Sequence, residues 1–511
     1  MKTESVLGLS AGLLLAILAG YFLMLLALSW WVNRRAKGNN AAFFQSERKT
    51  AWYVIAFGTI GGSLSGVTFV SVPAAVGNGG LNQQFSYWQL VCGYVLGYLI
   101  IAWVLLPIYY RMNLVSIYGY LQQRFGFFTY KAGASLFLLS RSIGTAFRLY
   151  LTANILHSFV FEHFGISFAM TVLIILILIY LYTYSGGVNT IVWTDTVQTV
   201  FMLLSVFATV YYLCESLNIG SATEVWATIE NYNLGKIFFF DDGWANQNNF
   251  FKQFLAGAST AVAMTGLDQD MMQKNLSCKT LKDAQKNLYL FSAAVLVMNF
   301  VFLIVGALLA IYAQQKGLAG LGDKLFPTIA LQHLPIAASI FFIIGLTAAA
   351  YASTDSALAA MTTAFCVDIW GMKSDGTAEN NQANVRKIAH FGIMGLVFAM
   401  IMFFWTLNNQ SIISSLLIVS GYTYGPLLGL YAFGIFGKRR LRDKLVPIVC
   451  IIAPLLTYLI NINSQLLFWG YKFSFETLLL NGFLSYLGLW LISQPPAIEE
   501  RDDLEHFFVN Q

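Results

Sequence analysis

Residues Ser353, Thr354, Asp355 and Ser356 put hydroxyls and a carboxylate inside an otherwise apolar run, AAYASTDSALAAMTTAFC (349–366). A second isolated acid, Asp195, stands in VNTIVWTDTVQ (188–198). Oxygen groups unaccompanied by Cys or His suit a hard cation such as sodium. A carboxylate within a membrane costs about 2.5–3.5 kcal/mol on insertion scales, so such acids are read first as functional. On a helix Ser353 and Ser356 share a face, and Asp355 turns toward a neighbouring one. The competing reading is structural, because Ser and Thr bond back to their own helix and an acid can satisfy a buried hydroxyl network; Thr362 and Thr363 are assigned to it. A different chemistry is carried by SRSIGTAFRLYLTAN (140–154). Arg141 and Arg148 are seven apart and therefore about 20° apart around a helix, with Thr145 and Thr152 on the same stripe. Arg148 is too deep to snorkel, so it calls for an anionic substrate group or a structural pair with Asp195 or Asp268. Ser356 and Asp355 have no companion His in their span, so no nucleophile–base pair marks an enzyme.

The elements that must position these residues are membrane spans. The chain has 511 residues, 58% hydrophobic and only 10% charged, far below the quarter typical of soluble domains. Thirteen runs are long enough to cross a bilayer. A leading helix (5–35) precedes two sets of five, 51–215 and 250–436, and two further helices follow at 445–494, all within one transporter domain spanning 1–511. The polar stretch 216–249 separates the two sets. Five spans in each set force the second to lie upside down relative to the first, the organisation of an inverted-repeat carrier. The first helix of each set should then be interrupted. GGSLSGVTFVSVP (61–73) and AMTGLDQDMM (263–272) are both poor continuous helices, since Gly and polar residues weaken them mid-span. Close Gly-mediated packing is the alternative for Gly61 and Gly66. Of the 29 Lys and Arg, twenty-one, Lys274 among them, fall on one side of the membrane and six on the other. The positive-inside rule then puts the N-terminus outside and the C-terminus in the cytoplasm. The same bias explains the net positive charge without nucleic acid. No phosphate loop suggests ATP use, and no filter-like segment suggests a channel.

Six stretches, in order, resemble the sodium:solute symporter family: GGSLSGVTFVSVP, LPIYYRMNLVSIYGYLQQRFG, YSGGVNTIVWTDTVQ, DQDMMQKNLSCKTLKDAQKN, AAYASTDSALAAMTTAFCVDIW and GYTYGPLLGLYAFGIFGKR. The resemblance implies an all-α membrane fold shared with LeuT, ten core helices in a 5+5 inverted repeat with flanking ones, and sodium-driven uptake by alternating access. It implies a sodium site built from the carbonyls of Gly61 and Leu64 and from a hydroxyl pair on the eighth core helix. Two registers fit that helix: Ser353 and Thr354 with the carbonyl of Ala350, or Ala352 and Ser353 with that of Ala349. In some members a second sodium site lies nearby, and Asp195, Asp355 and Ser356 match its positions.

For the substrate, the resemblance with Arg148 points to a small organic anion or zwitterion. Thr68, Ser71, Gln84, Tyr87, Arg148, Thr265, Asp268, Tyr422 and Tyr424 are the candidate lining by position. Sugar carriers of the family have an aromatic gate where this chain has Met264, and acidic and amide residues where it has Val67 and Thr68, which disfavours a sugar. Proton coupling on the same fold, a sugar-type substrate and a transporter-derived sensor are the alternatives. The implied partners are a small-molecule solute, sodium and the lipid bilayer, with no organic cofactor, nucleic acid or obligate protein partner.

Overall fold

The computed structural model describes residues 11–35, 51–77, 84–114, 116–183, 187–241, 243–318, 321–372, 379–407 and 412–495. The start of the first expected span (5–10) and several bases counted for orientation, such as Lys37, Arg48, Lys49 and Arg501, lie outside them. The described chain is almost wholly helical: α1 (Ala11–Arg35), α2 (Trp52–Ser63), α3 (Gly66–Ala74), α4 (Ser86–Arg111), α5 (Phe127–Phe159), α6 (Phe168–Thr183), α7 (Gly187–Ser216), α8 (Phe250–Ala261), α9 (Gln269–Leu276), α10 (Leu281–Lys316), α11 (Ile336–Ala364), α12 (Glu379–Leu407), α13 (Ile412–Phe436), α14 (Val446–Ile462) and α15 (Thr477–Ile492). Among the described residues, eight helices are long and apolar enough to cross a membrane, and the bent pair α2–α3 makes a ninth. α6 and α15 are shorter apolar helices. α5 has 33 residues and so runs about 50 Å.

Local sequence explains the boundaries that matter for the site. α2 and α3 meet at 56° where Gly61, Gly62, Ser63 and Ser65 crowd together. α8 loosens into a π-type turn over Val262–Gly266, and Asp268 then starts α9 by accepting the Asp270 and Met271 amides at 3.0 and 3.4 Å. Thr280 caps α10 at the Asp283 amide, 3.2 Å. α11 is the central pillar: every residue from Gly345 to Ala364 is buried. Its Ala, Ser and Thr side chains let neighbouring backbones approach closely. Phe69 on α3 is gripped by Phe302, Phe326 and Phe342, with ring centroids 5.3–5.9 Å away, which fixes the second half of the bent pair.

Candidate functional site

At the first break the helical ladder opens. The Leu64 amide still bonds the Ile60 carbonyl, and the Ser65 amide turns back to the Ser63 carbonyl, both at 2.9 Å. Among the described residues no backbone amide beyond the break reaches the carbonyls of Gly61, Gly62 or Leu64. Three acceptors are thus released inside the protein, and such backbone is tolerated at membrane depth only where something else satisfies it. The break presses on α11. A side chain at Gly62 would stand 3.7 Å from both the Ala352 carbonyl and Ser356 Oγ, and one at Gly66 would stand 3.7 Å from Ala350 Cβ and against Thr152 of α5. Gly61 packs equally closely on Asp195 and Thr199 of α7. On α11, the Ser353 hydroxyl bonds the Ala350 carbonyl at 3.1 Å, and Thr354 Oγ1 is buried with no partner. Ala349 and Ala350 lie buried in the same turn.

One step further along α11 is a charged cluster that excludes solvent. The Tyr182 hydroxyl of α6 donates to Asp355 Oδ2 at 2.9 Å, and the Ser356 amide to Asp355 Oδ1 at 2.6 Å. The Ser356 hydroxyl donates to Asp195 Oδ2 at 3.1 Å. That same oxygen receives the ammonium of Lys274, on α9, at 2.7 Å. Lys274 is therefore not an inner-loop base, as the linear reading had it: α9 re-enters the bundle after the break and buries it, with 2% of its surface exposed. The other Asp195 oxygen, both side-chain amide atoms of Gln198 and the Tyr21 hydroxyl are buried and unpartnered.

The two arginines of α5 have separate fates. Arg141 is held by Asp270 and by Asp268, the latter at 3.6 Å. Asp268 also accepts the Tyr424 hydroxyl at 2.6 Å while capping α9, so it is fully engaged. Arg148, which the spacing placed on the same stripe, makes no ion pair among the described residues; neither Asp195 nor Asp268 is its partner. It faces a cavity beside the first break, together with Ser63, Ser65, Thr68, Tyr87, Tyr94, Tyr98, Arg141, Thr260, Thr265 and Asn299. Arg148 is thus a guanidinium in a partly enclosed chamber with its donors uncommitted to any acid.

The second break is closed where the first is open. The Tyr109 hydroxyl donates to the Gly266 carbonyl and the Tyr118 hydroxyl to the Leu267 carbonyl, each at 2.9 Å. Of the residues expected to line a substrate site, Thr68, Tyr87, Arg148 and Thr265 face the cavity. Ser71 is buried without a partner. Gln84 binds the Asn233 carbonyl at 2.9 Å in a distant loop. Asp268 and Tyr424 support Arg141, and Tyr422 is bonded by Asn461 at 2.7 Å. The linear reading passed over Tyr94, Tyr98 and Asn299, because aromatic residues and a single amide in apolar spans carry no spacing signal.

Comparison with known proteins adds the relationship. The chain is 26% identical over 472 residues to the sodium/sialic acid symporter NanT of Aliivibrio fischeri, covering 89% of each protein. It is 25% identical over 459 residues to the sodium/sialic acid symporter SiaT of Proteus mirabilis, covering 86% of this chain and 88% of that one. A solved Na+-coupled sialic acid symporter, in a substrate-bound outward-open state, superposes with a TM-score of 0.77 at 19% identity over 94% of this chain and 99% of that one. The fold is accordingly the LeuT-like one that the six stretches implied. A model of the Sodium:solute symporter family matches residues 43–443, nearly four-fifths of the chain and both broken helices, and the protein belongs to that family.

Proposed function

We propose that the protein is a multi-pass carrier, N-terminus outside and C-terminus in the cytoplasm, that imports a small anionic or zwitterionic organic solute together with sodium by alternating access. The observation that carries this reading is the free Arg148 guanidinium in the chamber beside the first break. Its planar fork suits a carboxylate bidentately. The similarity to two symporters named for sialic acid, itself an acid, supports the same class of solute. Sodium is read at the break, between the released carbonyls of Gly61 and Leu64 and the α11 hydroxyls. The unpartnered Thr354 Oγ1 and the Ser353–Ala350 contact support the register that uses Ser353, Thr354 and the Ala350 carbonyl over the one centred on Ala349. The two sets of spans, 51–215 and 250–436, act as inverted halves around that centre. The test is thermal stability of the purified protein in sodium against potassium at equal ionic strength. A ligand at ten times its Kd stabilises by about 1.4 kcal/mol, so sodium should raise the melting temperature and Ser353→Ala should blunt the rise. Identical curves for the unaltered protein in the two salts refute sodium coupling.

A further inference from the structure

The charged cluster behind the break has the composition of a second cation site: Asp195, Asp355 and the Ser356 hydroxyl, all buried. It already holds a cation, and that cation is part of the chain. Lys274 Nζ lies 2.7 Å from Asp195 Oδ2, the oxygen that Ser356 also contacts. Gly62 leaves the ammonium its room: a side chain there would begin 2.6 Å from Nζ, and the Ala352 carbonyl and Ser356 Oγ border the same space. A free sodium ion bridging Asp195 Oδ2 and the Ser356 hydroxyl would need to sit where the ammonium sits or in contact with its like charge. Asp195 Oδ1, unpartnered and buried, shows that the acid is turned so that one oxygen serves the ammonium while the other is left out. We infer that Lys274 is a tethered cation that fills the second cation site permanently, so that the transporter couples its solute to a single sodium at the first break. This rests on the sodium-coupled reading above. The covalent ammonium rides on α9, just past the second break, so the charge that a mobile ion would bring and carry away stays with the protein through the cycle.

The experiment counts radioactive sodium bound at saturation by the full-length protein in nanodiscs. The unaltered protein should bind one ion per chain. Lys274→Met vacates the carboxylates and should bind two, and Lys274→Met combined with Asp195→Asn should return to one. Should Lys274→Met fail to fold, Asp195→Asn alone decides: with Lys274 as the partner of Asp195 the count stays at one, whereas an acid that binds sodium loses an ion. Two ions on the unaltered protein, one ion on folded Lys274→Met, or a loss in Asp195→Asn would each overturn the tethered-cation inference while leaving sodium coupling in place. No bound sodium at all would overturn the coupling itself and this inference with it.

Discussion

Arg141 and Arg148 lie two turns apart on one helix, and their unequal partners predict opposite phenotypes on truncation. Arg141→Ala strands Asp268, which is 0% exposed, and Asp270, 3% exposed. Removing one member of a buried ion pair costs roughly 3–5 kcal/mol, so most of this variant should be lost before purification or melt far below the unaltered protein. Arg148→Ala strands no acid, because none among the described residues is paired with it, and its melting temperature should stay close to that of the unaltered protein. Its defect should lie in solute affinity. A hydrogen bond to a charged group is worth about 1.5–3 kcal/mol, or about ten- to 150-fold in Kd. Arg148→Lys keeps the charge but loses the fork and should fall between the two. The assay is competition for sodium-driven uptake in proteoliposomes, using a panel of carboxylated solutes and their neutral amides. In the unaltered protein the amide should bind more weakly than the acid, and in Arg148→Ala that preference should vanish, since the two changes remove the same interaction. Arg148→Ala unfolding like Arg141→Ala, or an acid preference that survives it, would refute the assignment of Arg148 to the solute.

Two more outcomes test the scaffold. Tyr118→Phe leaves the Leu267 carbonyl buried without its donor, which should cost about 1–3 kcal/mol and lower the melting temperature with the sodium-induced rise unchanged. Asp368, in the π-type turn Phe365–Ile369 that follows α11, accepts the Ser116 hydroxyl at 2.8 Å and the Tyr130 hydroxyl at 2.9 Å, tying that turn to the start of α5; Asp368→Ala should cost roughly 1–3 kcal/mol per stranded hydroxyl and speed limited proteolysis near residue 116.

Both helix breaks were legible in the sequence, because Gly61, Gly62, Ser63 and Ser65, and later Gly266 and Asp268, are local chemistry that no apolar neighbour can disguise. The shared stripe of Arg141 and Arg148 was legible too, since it follows from helical spacing alone. Which of the two keeps a free guanidinium was not. That depends on Asp268 and Asp270, about 120–130 residues away, and on how α9 turns after the π-type turn. Lys274 shows the same limit more sharply. In the linear sequence it sits at the polar end of a span and reads as one more loop base, while in the fold it is buried against Asp195. Thirteen spans could be marked from composition, but Ser71, Gln84 and Tyr422 are not among the residues that line the cavity, because position along a span does not fix the face a helix presents once it bends or meets a loop.

The packing of the first break on α11 has a consequence for biogenesis. Gly62 and Gly66 leave the ribosome about 290 residues before Ala352 and Ala350, the groups they lie against. At about 5–20 residues per second, that is a wait of roughly 15–60 s during which the released carbonyls have no α11 beside them, and Asp195 waits 79 residues, roughly 4–16 s, for Lys274. The nascent first half should therefore behave as a quality-control substrate rather than a stable intermediate until the second half arrives. Chains truncated between residues 215 and 336 should be degraded in the cell even though they contain the leading helix and all five spans of the first set, and co-expressing the missing half should rescue them.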